Sequence, residues 1–261
     1  MFTIVRSNDI QLIQFRLLQD LGINHCITTR PGGVSRPPYE SLNMAFHTGD
    51  DPDAVCENRL RACEVLGYPL EQLVAGEQVH GDAVHVVSAA DAGRGACDRE
   101  SAVQNTDILL TNTPGILLAS FYADCVPVLL ADPIRQAVGV AHCGWRGTQA
   151  EAPRRALEAM AAFFGTDVAD VRVVIGPSIG PCCYEVSDQM KRTFCDQFGH
   201  HVVLGRMLDL RLANQITLER VGVPAAQILT APFCTSCQKE LFYSHRAHGG
   251  KTGRFAALIG L

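Results

Sequence analysis

Between Asp107 and His142 the chain runs DILLTNTPGILLASFYADCVPVLLADPIRQAVGVAH, a series of short apolar runs separated by turn-forming residues. Each run is too short for a buried helix and the right length for a buried strand. The connections leave no room for a crossover helix: Asn112-Thr113-Pro114-Gly115 joins the first pair and Pro133 sits between the last pair. Strands joined this way make at least part of the sheet antiparallel or mixed. The same region carries polar clusters at the strand ends, Ala123-Asp124-Cys125 and then His142-Cys143-Gly144-Trp145-Arg146-Gly147. Any fold this chain adopts must bury these strands and still present those side chains.

The flanking sequence adds helices. DPDAVCENRLRACEVLG (51–67) has Asp51 or Asp53 as a cap, Pro52 near the start and Gly67 as a stop, with Val55, Leu60, Cys63 and Leu66 at helical spacing. EAPRRALEAMAAFFG (151–165) combines good helix formers with an early Pro153 and a closing Gly165. SDQMKRTFCDQFG and LDLRLANQITLERVG are helices capped by Ser187 and Asp209. AVHVVSA, VRVVIGP and the C-terminal KTGRFAALIGL read as further strands, and TTRPGGVSRPPYESLN (28–43) as a loop. The expectation is an α/β fold of the mixed α+β kind, with mixed sheets and flanking helices. No Pro/Gly-rich linker or internal repeat divides the 261 residues, so one domain over 1–261 is expected.

Composition removes several function classes. The formal net charge is -5 and the basic residues are scattered, which disfavours a nucleic-acid surface. No apolar run approaches the roughly 20 residues that span a bilayer, so no membrane partner is expected. No G-x-G-x-x-G or G-x-x-x-x-G-K-[ST] motif supports a dinucleotide or nucleotide-phosphate loop. The start MFTIVRSNDIQLIQFRLLQD lacks the form of a secretory signal. With 11 cysteines, an odd number, the chain reads as cytoplasmic with reduced thiols. The oligomeric state is not legible.

His80 in GEQVHGDAV, Cys125 in ADCVP and His142 in AHCGWRG each sit where a strand meets a turn. Two imidazoles and a thiolate suit zinc with an open fourth position, and zinc lowers the pKa of bound water to ~7. Two other readings of the same residues stand beside it. Cys125 is buried filler and His142 a core histidine, or Cys125 is a nucleophile with His142 as its base. Asp124 is placed to orient an imidazole, contact substrate or shuttle a proton. Arg30, Arg146 and Arg254 each adjoin glycine-bearing loops, a combination suited to an anionic ligand. In GPSIGPCCYEV the pair Cys182-Cys183 reads as packed thiols in a rigid turn. Cys234 and Cys237 have C-x-x-C spacing, but adjacent cysteines are poor paired ligands for a shared structural zinc. His200, His201, His245 and His248 read as exposed or locally hydrogen-bonding.

TTRPGGVS, SLN, GEQVHG, ADCVPVLLADP, AHCGWRGT, IGPSIGPCCYEV, CTSC and TGR occur in this order across residues 28 to 254. This arrangement resembles the laccase-domain family, whose labels include polyphenol oxidoreductase, purine nucleoside phosphorylase / adenosine deaminase and peptidoglycan editing factor. The resemblance implies a single α/β domain and a mononuclear zinc site made by His80, Cys125 and His142, with copper binding possible in vitro. It also implies that Arg30, Asn43, Gln78 and Arg146 line the substrate pocket, with Arg254 as a further candidate. Two departures stand out. Cys143 occupies a position where relatives more often have alanine, next to a ligand, where it could compete for metal or be oxidised. SHRAHGGKTGR (244–254) replaces a basic pair followed by an acidic residue and glycine.

The leading functional expectation is a zinc enzyme of purine nucleosides, with a small-molecule nucleoside and phosphate as partners. It would carry out phosphorolysis of adenosine, inosine or methylthioadenosine and hydrolytic deamination of adenosine. The alternative is a cytosolic amidohydrolase that removes a misincorporated amino acid from a cell-wall precursor. A copper-dependent phenol oxidase would need more histidines in paired motifs than the nine present. A non-catalytic metal-binding module would normally fill the fourth ligand position.

Overall fold

The computed structural model describes residues 1–7 and 9–261. One sheet contains β1 (Phe2–Ser7), β2 (Ile10–Phe15), β3 (Asn24–Thr28), β4 (Leu73–Ala75), β7 (Leu117–Tyr122) and β14 (Phe255–Gly260). Its strand order is β1-β2-β3-β14-β7-β4. The other contains β5 (Val84–Val86), β6 (Ile108–Thr111), β8 (Val126–Asp132), β9 (Ala137–Cys143), β10 (Arg172–Ile175) and β13 (Ile228–Thr230). Its order is β13-β10-β8-β9-β6-β5. A small ribbon pairs β11 (Val203–Leu204) with β12 (Met207–Leu208). The helices are α1 (Arg16–Gln19), α2 (Pro52–Leu66), α3 (Trp145–Gln149), α4 (Ala152–Phe164), α5 (Asp188–Phe198) and α6 (Leu210–Val221).

Both sheets are mixed, as the short turns predicted: β4 with β7, β5 with β6 and β10 with β13 are parallel, and the other ladders are antiparallel. The sheets face one another, with α2 outside the first and α4, α5 and α6 outside the second. This four-layer arrangement explains why the central strands are apolar throughout. Side chains alternate across a strand, and here both faces are covered. On β9, Val138 and Val140 enter the core between the sheets, while Ala137, Ala141 and Cys143 meet the helices. On β14, Phe255, Ala257 and Ile259 point inward, while Ala256 and Leu258 pack under α2.

The predicted caps are in place. Asp51 accepts from the Asp53 amide, Ser187 from Met190, and Asp209 from Arg211 and Leu212, while Gly67 and Gly165 end their helices with left-handed backbone. The face of α2 differs from expectation. Leu60 is turned to solvent, and Asn58 and Arg59 are buried beside Val55, Ala62, Cys63 and Leu66. Arg59 is tolerated there because its guanidinium donates to the Met44 carbonyl at 2.7 Å, to Ala96 at 3.1 Å and to Gly95. It also lies between the Phe46 and Phe121 rings, 4.3 Å from each centroid. A periodicity reading ranks residues by hydropathy and cannot register a buried cation satisfied by distant carbonyls.

The turn at 112–115 hides a second departure from simple adjacency. It does not join neighbours, because β6 and β7 belong to different sheets. The segments from β4 to β5 and from β7 to β8 likewise pass from one sheet to the other. These last two crossovers carry His80 and Cys125, and the end of β9 supplies His142.

Candidate metal centre

His80, Cys125 and His142 converge, their ligand atoms lying within 4.8 Å of one another. The two imidazole rings meet edge to face, with centroids 4.8 Å apart. The strand alternation that sends Val138 and Val140 inward also sends His142 inward, to the open end between the sheets. His80 and Asp124 hold left-handed backbone at φ 64° and 88°. Such conformations are uncommon away from glycine and concentrate at functional sites. Gly144 packs tightly against the triad: a Cβ there would lie 3.1 Å from the Cys125 Sγ and 3.1 Å from the His80 ring, closer than ordinary contact.

One residue that motif reading missed organises this arrangement. Asp107, at the start of β6, is buried with its carboxylate saturated. Oδ1 accepts from the His80 amide at 3.0 Å and pairs with His142 Nδ1 at 2.8 Å. Oδ2 accepts from the amides of Val79 at 3.1 Å and Gly81 at 2.8 Å. The bond to Nδ1 leaves His142 Nε2 available as the ligand atom, the carboxylate–histidine pairing common behind metal sites. The donor set of two imidazoles and a thiol, backed by this carboxylate, fits a borderline-soft divalent ion such as zinc. Asp107 sits only one residue before the apolar run, so nothing but its charge at a strand start marked it in the sequence.

The electrostatics of the bare triad are those of an ion pair. Burial alone would raise the Cys125 thiol, but the charge of His142 and hydrogen bonds from His142 and His80 more than offset it, bringing it down to about 6. Burial works against protonating His142, yet the Cys125 charge and the Asp107 hydrogen bond raise it to about 9. The contribution of Cys125 to stability is therefore in place above the ordinary thiol range and lost as pH falls through about 6. That of His142 is in place below the ordinary imidazole value and lost as pH rises through about 9. In metal-stripped protein, alkylation of Cys125 by iodoacetamide, followed by peptide mapping, is expected to rise with a midpoint near 6. A midpoint in the ordinary thiol range would remove the ion pair.

Cys143 does not compete for the metal. It lies on the opposite face of β9, fully buried against the helix layer, and burial raises its thiol well above the usual range. The triad opens onto a cavity of about 350 Å³ lined by Phe121, Asp124, Trp145, Tyr184 and three arginines, Arg146, Arg246 and Arg254. A second cavity of about 370 Å³ adjoins it, sharing His47, Gln78, His80, Phe121 and Arg254 and adding Arg59 and Arg99. The two cavities also hold Asp124, Glu77 and Asp98, with Glu77 paired to Arg99 at 3.1 Å, so their arginines outnumber their carboxylates and the lining beside the triad favours an anion.

The other sequence-named residues fall into two groups. Gln78, Asp124, Arg146 and Arg254 line the cavity beside the triad. Gln78 is held by the Phe121 backbone, accepting from its amide at 2.8 Å and donating to its carbonyl at 3.0 Å. Asp124 accepts from the Thr235 hydroxyl at 2.6 Å and the Arg246 amide at 2.7 Å. Arg30 and Asn43 do not line either cavity. Arg30 pairs with Glu40 at 2.7 Å and donates to the Lys239 carbonyl at 3.0 Å. Asn43 is buried, bonded to Thr48 and Asp50, and accepts from the Arg254 amide at 2.8 Å, so it steadies a cavity residue from behind. Of the histidines read as local, His248 bonds within its own loop through the Ser244 carbonyl, whereas His245 lines the cavity. Arg246 and His245 both lie in the segment that departs from the family pattern.

Residues 24–261 match the protein family described as multi-copper polyphenol oxidoreductase laccase. Purine nucleoside phosphorylase YlmD of Geobacillus stearothermophilus is 41% identical over 242 residues, covering 90% of this chain and 88% of the relative. The Bacillus subtilis protein of the same name is 36% identical, covering 90% and 87%. Among solved structures, YlmD from Geobacillus stearothermophilus superposes with a TM-score of 0.92 at 38% identity, covering 99% of this chain and 98% of that one. The hypothetical protein YfiH of Bacillus licheniformis gives 0.93 at 36% identity, covering 100% and 98%. Among the described residues only one cluster of potential ligands contains histidine, the triad of His80, Cys125 and His142. By sequence and by fold, this chain belongs to the laccase-like polyphenol oxidoreductase family.

Proposed function

We propose that this protein is a cytoplasmic, zinc-dependent purine nucleoside phosphorylase that also deaminates adenosine. The observation that carries this reading is the joining of the His-Cys-His triad to an aromatic, arginine-lined cleft. Names of relatives, as purine nucleoside phosphorylases, point the same way.

Phosphorolysis joins a phosphate oxygen to the ribose anomeric carbon and breaks its bond to purine N9. Arg146, Arg246 and Arg254 are the groups to hold the phosphate, since a guanidinium fork matches its oxygens. Phe121, Trp145 and Tyr184 offer apolar surface for the purine and sugar. In deamination, water replaces the amino group at C6 of adenosine. Asp124 is the carboxylate to take the proton from that water and return it to the leaving nitrogen. His80, Cys125 and His142 would hold the zinc, which when bound supplies Lewis-acid polarisation and a water of lowered pKa.

The test is product identification from adenosine, inosine and methylthioadenosine, each with and without phosphate. The reading expects phosphate-dependent free base from all three, with ribose 1-phosphate from adenosine and inosine and 5-methylthioribose 1-phosphate from methylthioadenosine, and phosphate-independent inosine from adenosine. Free serine from nucleotide-sugar amino acid conjugates, with nucleosides untouched, would replace it by amide hydrolysis. Stoichiometric copper with phenol oxidation and no nucleoside turnover would replace it by the oxidase reading.

A further inference from the structure

Away from the triad, the two cysteine pairs that the sequence keeps some fifty positions apart come together. The Sγ atoms of Cys182, Cys183, Cys234 and Cys237 all lie within 4.8 Å of one another. Cys237 Sγ is 3.5 Å from Cys182 Sγ and 3.4 Å from Cys183 Sγ. A disulfide would bring two sulfurs to about 2.05 Å. Four thiolates at about 2.3 Å from a tetrahedral zinc stand roughly 3.8 Å apart. The observed spacing therefore resembles the edges of a tetrahedron.

Adjacent cysteines are poor paired ligands in the usual zinc knuckle, but here a local turn brings the pair together with the C-x-x-C thiols. A tight turn follows Gly180, whose carbonyl accepts from the amides of Cys183 at 3.0 Å and Tyr184 at 3.1 Å. That turn brings both thiols of the pair to the same partner, Cys237. The two loops are also laid side by side: Thr235 donates its amide to the Ser178 carbonyl at 3.0 Å, and the Gly180 amide donates to Cys234 Sγ at 3.2 Å. An amide donated to sulfur is the kind of outer contact that favours a thiolate ligand. Gly180 sits close to the cluster, since a Cβ there would lie 3.2 Å from the Cβ of Cys234 and 3.3 Å from Cys182 Sγ, tighter than ordinary contact. Cys182 and Cys237 are exposed, Cys183 is half-buried and Cys234 is buried, so an ion can enter from solvent.

We propose that Cys182, Cys183, Cys234 and Cys237 form a second, structural site for a thiophilic divalent ion, with zinc as the ion of choice. Four protein ligands close the coordination shell, which separates this site from the open His-Cys-His centre. Its task is to clamp the two loops. One of them carries Ile179 and Tyr184 of the cavity wall, and the other carries Thr235, whose hydroxyl is bonded to Asp124. The negative charge of a tetrathiolate is partly countered by Arg246, which donates to the Cys183 carbonyl at 3.3 Å. The site stands on its own whether or not the protein turns over nucleosides.

Metal content and cobalt spectra of the untagged full chain, purified under reducing conditions, test it. Wild type is expected to hold two equivalents of zinc. A His80→Ala, Cys125→Ala double substitution is expected to keep one, and on exchange with cobalt to show intense tetrathiolate bands. Cys234→Ser with Cys237→Ser is expected to lose one equivalent, and Cys182→Ser with Cys183→Ser does the same from the more exposed side. The triad variant supplies the decisive reading even where a serine variant fails to fold. A triad variant free of metal would overturn the proposal. So would cysteine pairs found oxidised to disulfides, by mass under non-reducing conditions, in protein as isolated.

Discussion

Replacing Asp107 by alanine is expected to damage both the fold and the metal centre, more than any other single change behind the site. The carboxylate serves three backbone amides and one imidazole, and its side chain has no exposure. Alanine would strand those donors in a water-poor environment, at a cost of about 3–5 kcal/mol in unfolding free energy. The left-handed turn at His80 would lose the anchor that holds it. His142 would lose the partner that sets its tautomer, and metal affinity should fall ~10–100-fold. Asp107→Asn keeps one acceptor oxygen but turns an amide group toward donors, so it should fall between wild type and alanine. Urea unfolding and competition with a chelator measure the two effects separately. A variant within about 0.5 kcal/mol of wild type, as for an ordinary surface change, would show that the carboxylate organises nothing. Acid should reveal the same residue. Burial opposes ionisation of Asp107, but the His142 hydrogen bond and charge outweigh it and hold the carboxyl below its usual value. Its contribution is thus present above the ordinary carboxyl range and lost only as pH falls through that lower value.

If the proposed function holds, Cys125→Ala removes the triad metal and lowers kcat/KM for nucleoside phosphorolysis by ~10³ or more, about 4 kcal/mol of transition-state stabilisation. The fold should survive, because Cys125 is a half-buried residue in a crossover and not part of a strand ladder. Removing it also leaves His142 without the thiolate that raises its pKa, so the imidazole should become neutral at lower pH. Metal analysis, kinetics and an imidazole titration by NMR give three independent readings. Full activity with one metal equivalent fewer would separate the ion from the chemistry. Unchanged metal content at the triad would remove the centre itself.

Much of the architecture is written locally. Helix ends at Asp51, Gly67, Ser187 and Asp209 follow from cap chemistry, which acts within one turn of chain. The apolar runs at 108–111, 117–122, 126–132 and 137–143 mark strands covered on both faces. His80, Cys125 and His142 were nameable from residue type and motif, and so were four of the cavity residues. The burial of Arg59 and the solvent face of Leu60 were not, since each depends on what another segment brings. Arg30 and Asn43 carry recognisable motifs, yet their polar groups are spent on neighbouring loops.

By itself, then, the sequence determined which segments are strands and helices, because hydropathy, capping and turn chemistry act over a few residues. It also determined which reactive side chains stand at strand ends. Only the tertiary structure decided that β6 and β7, separated by residues 112–116, enter different sheets. Only it decided that two sheet-to-sheet crossovers carry His80 and Cys125 to His142, that Asp107 grips both histidines from beneath, and that four distant thiols share one corner. Those outcomes depend on how two twisted sheets stack over a common core, and that packing couples residues with no local signal of their partners.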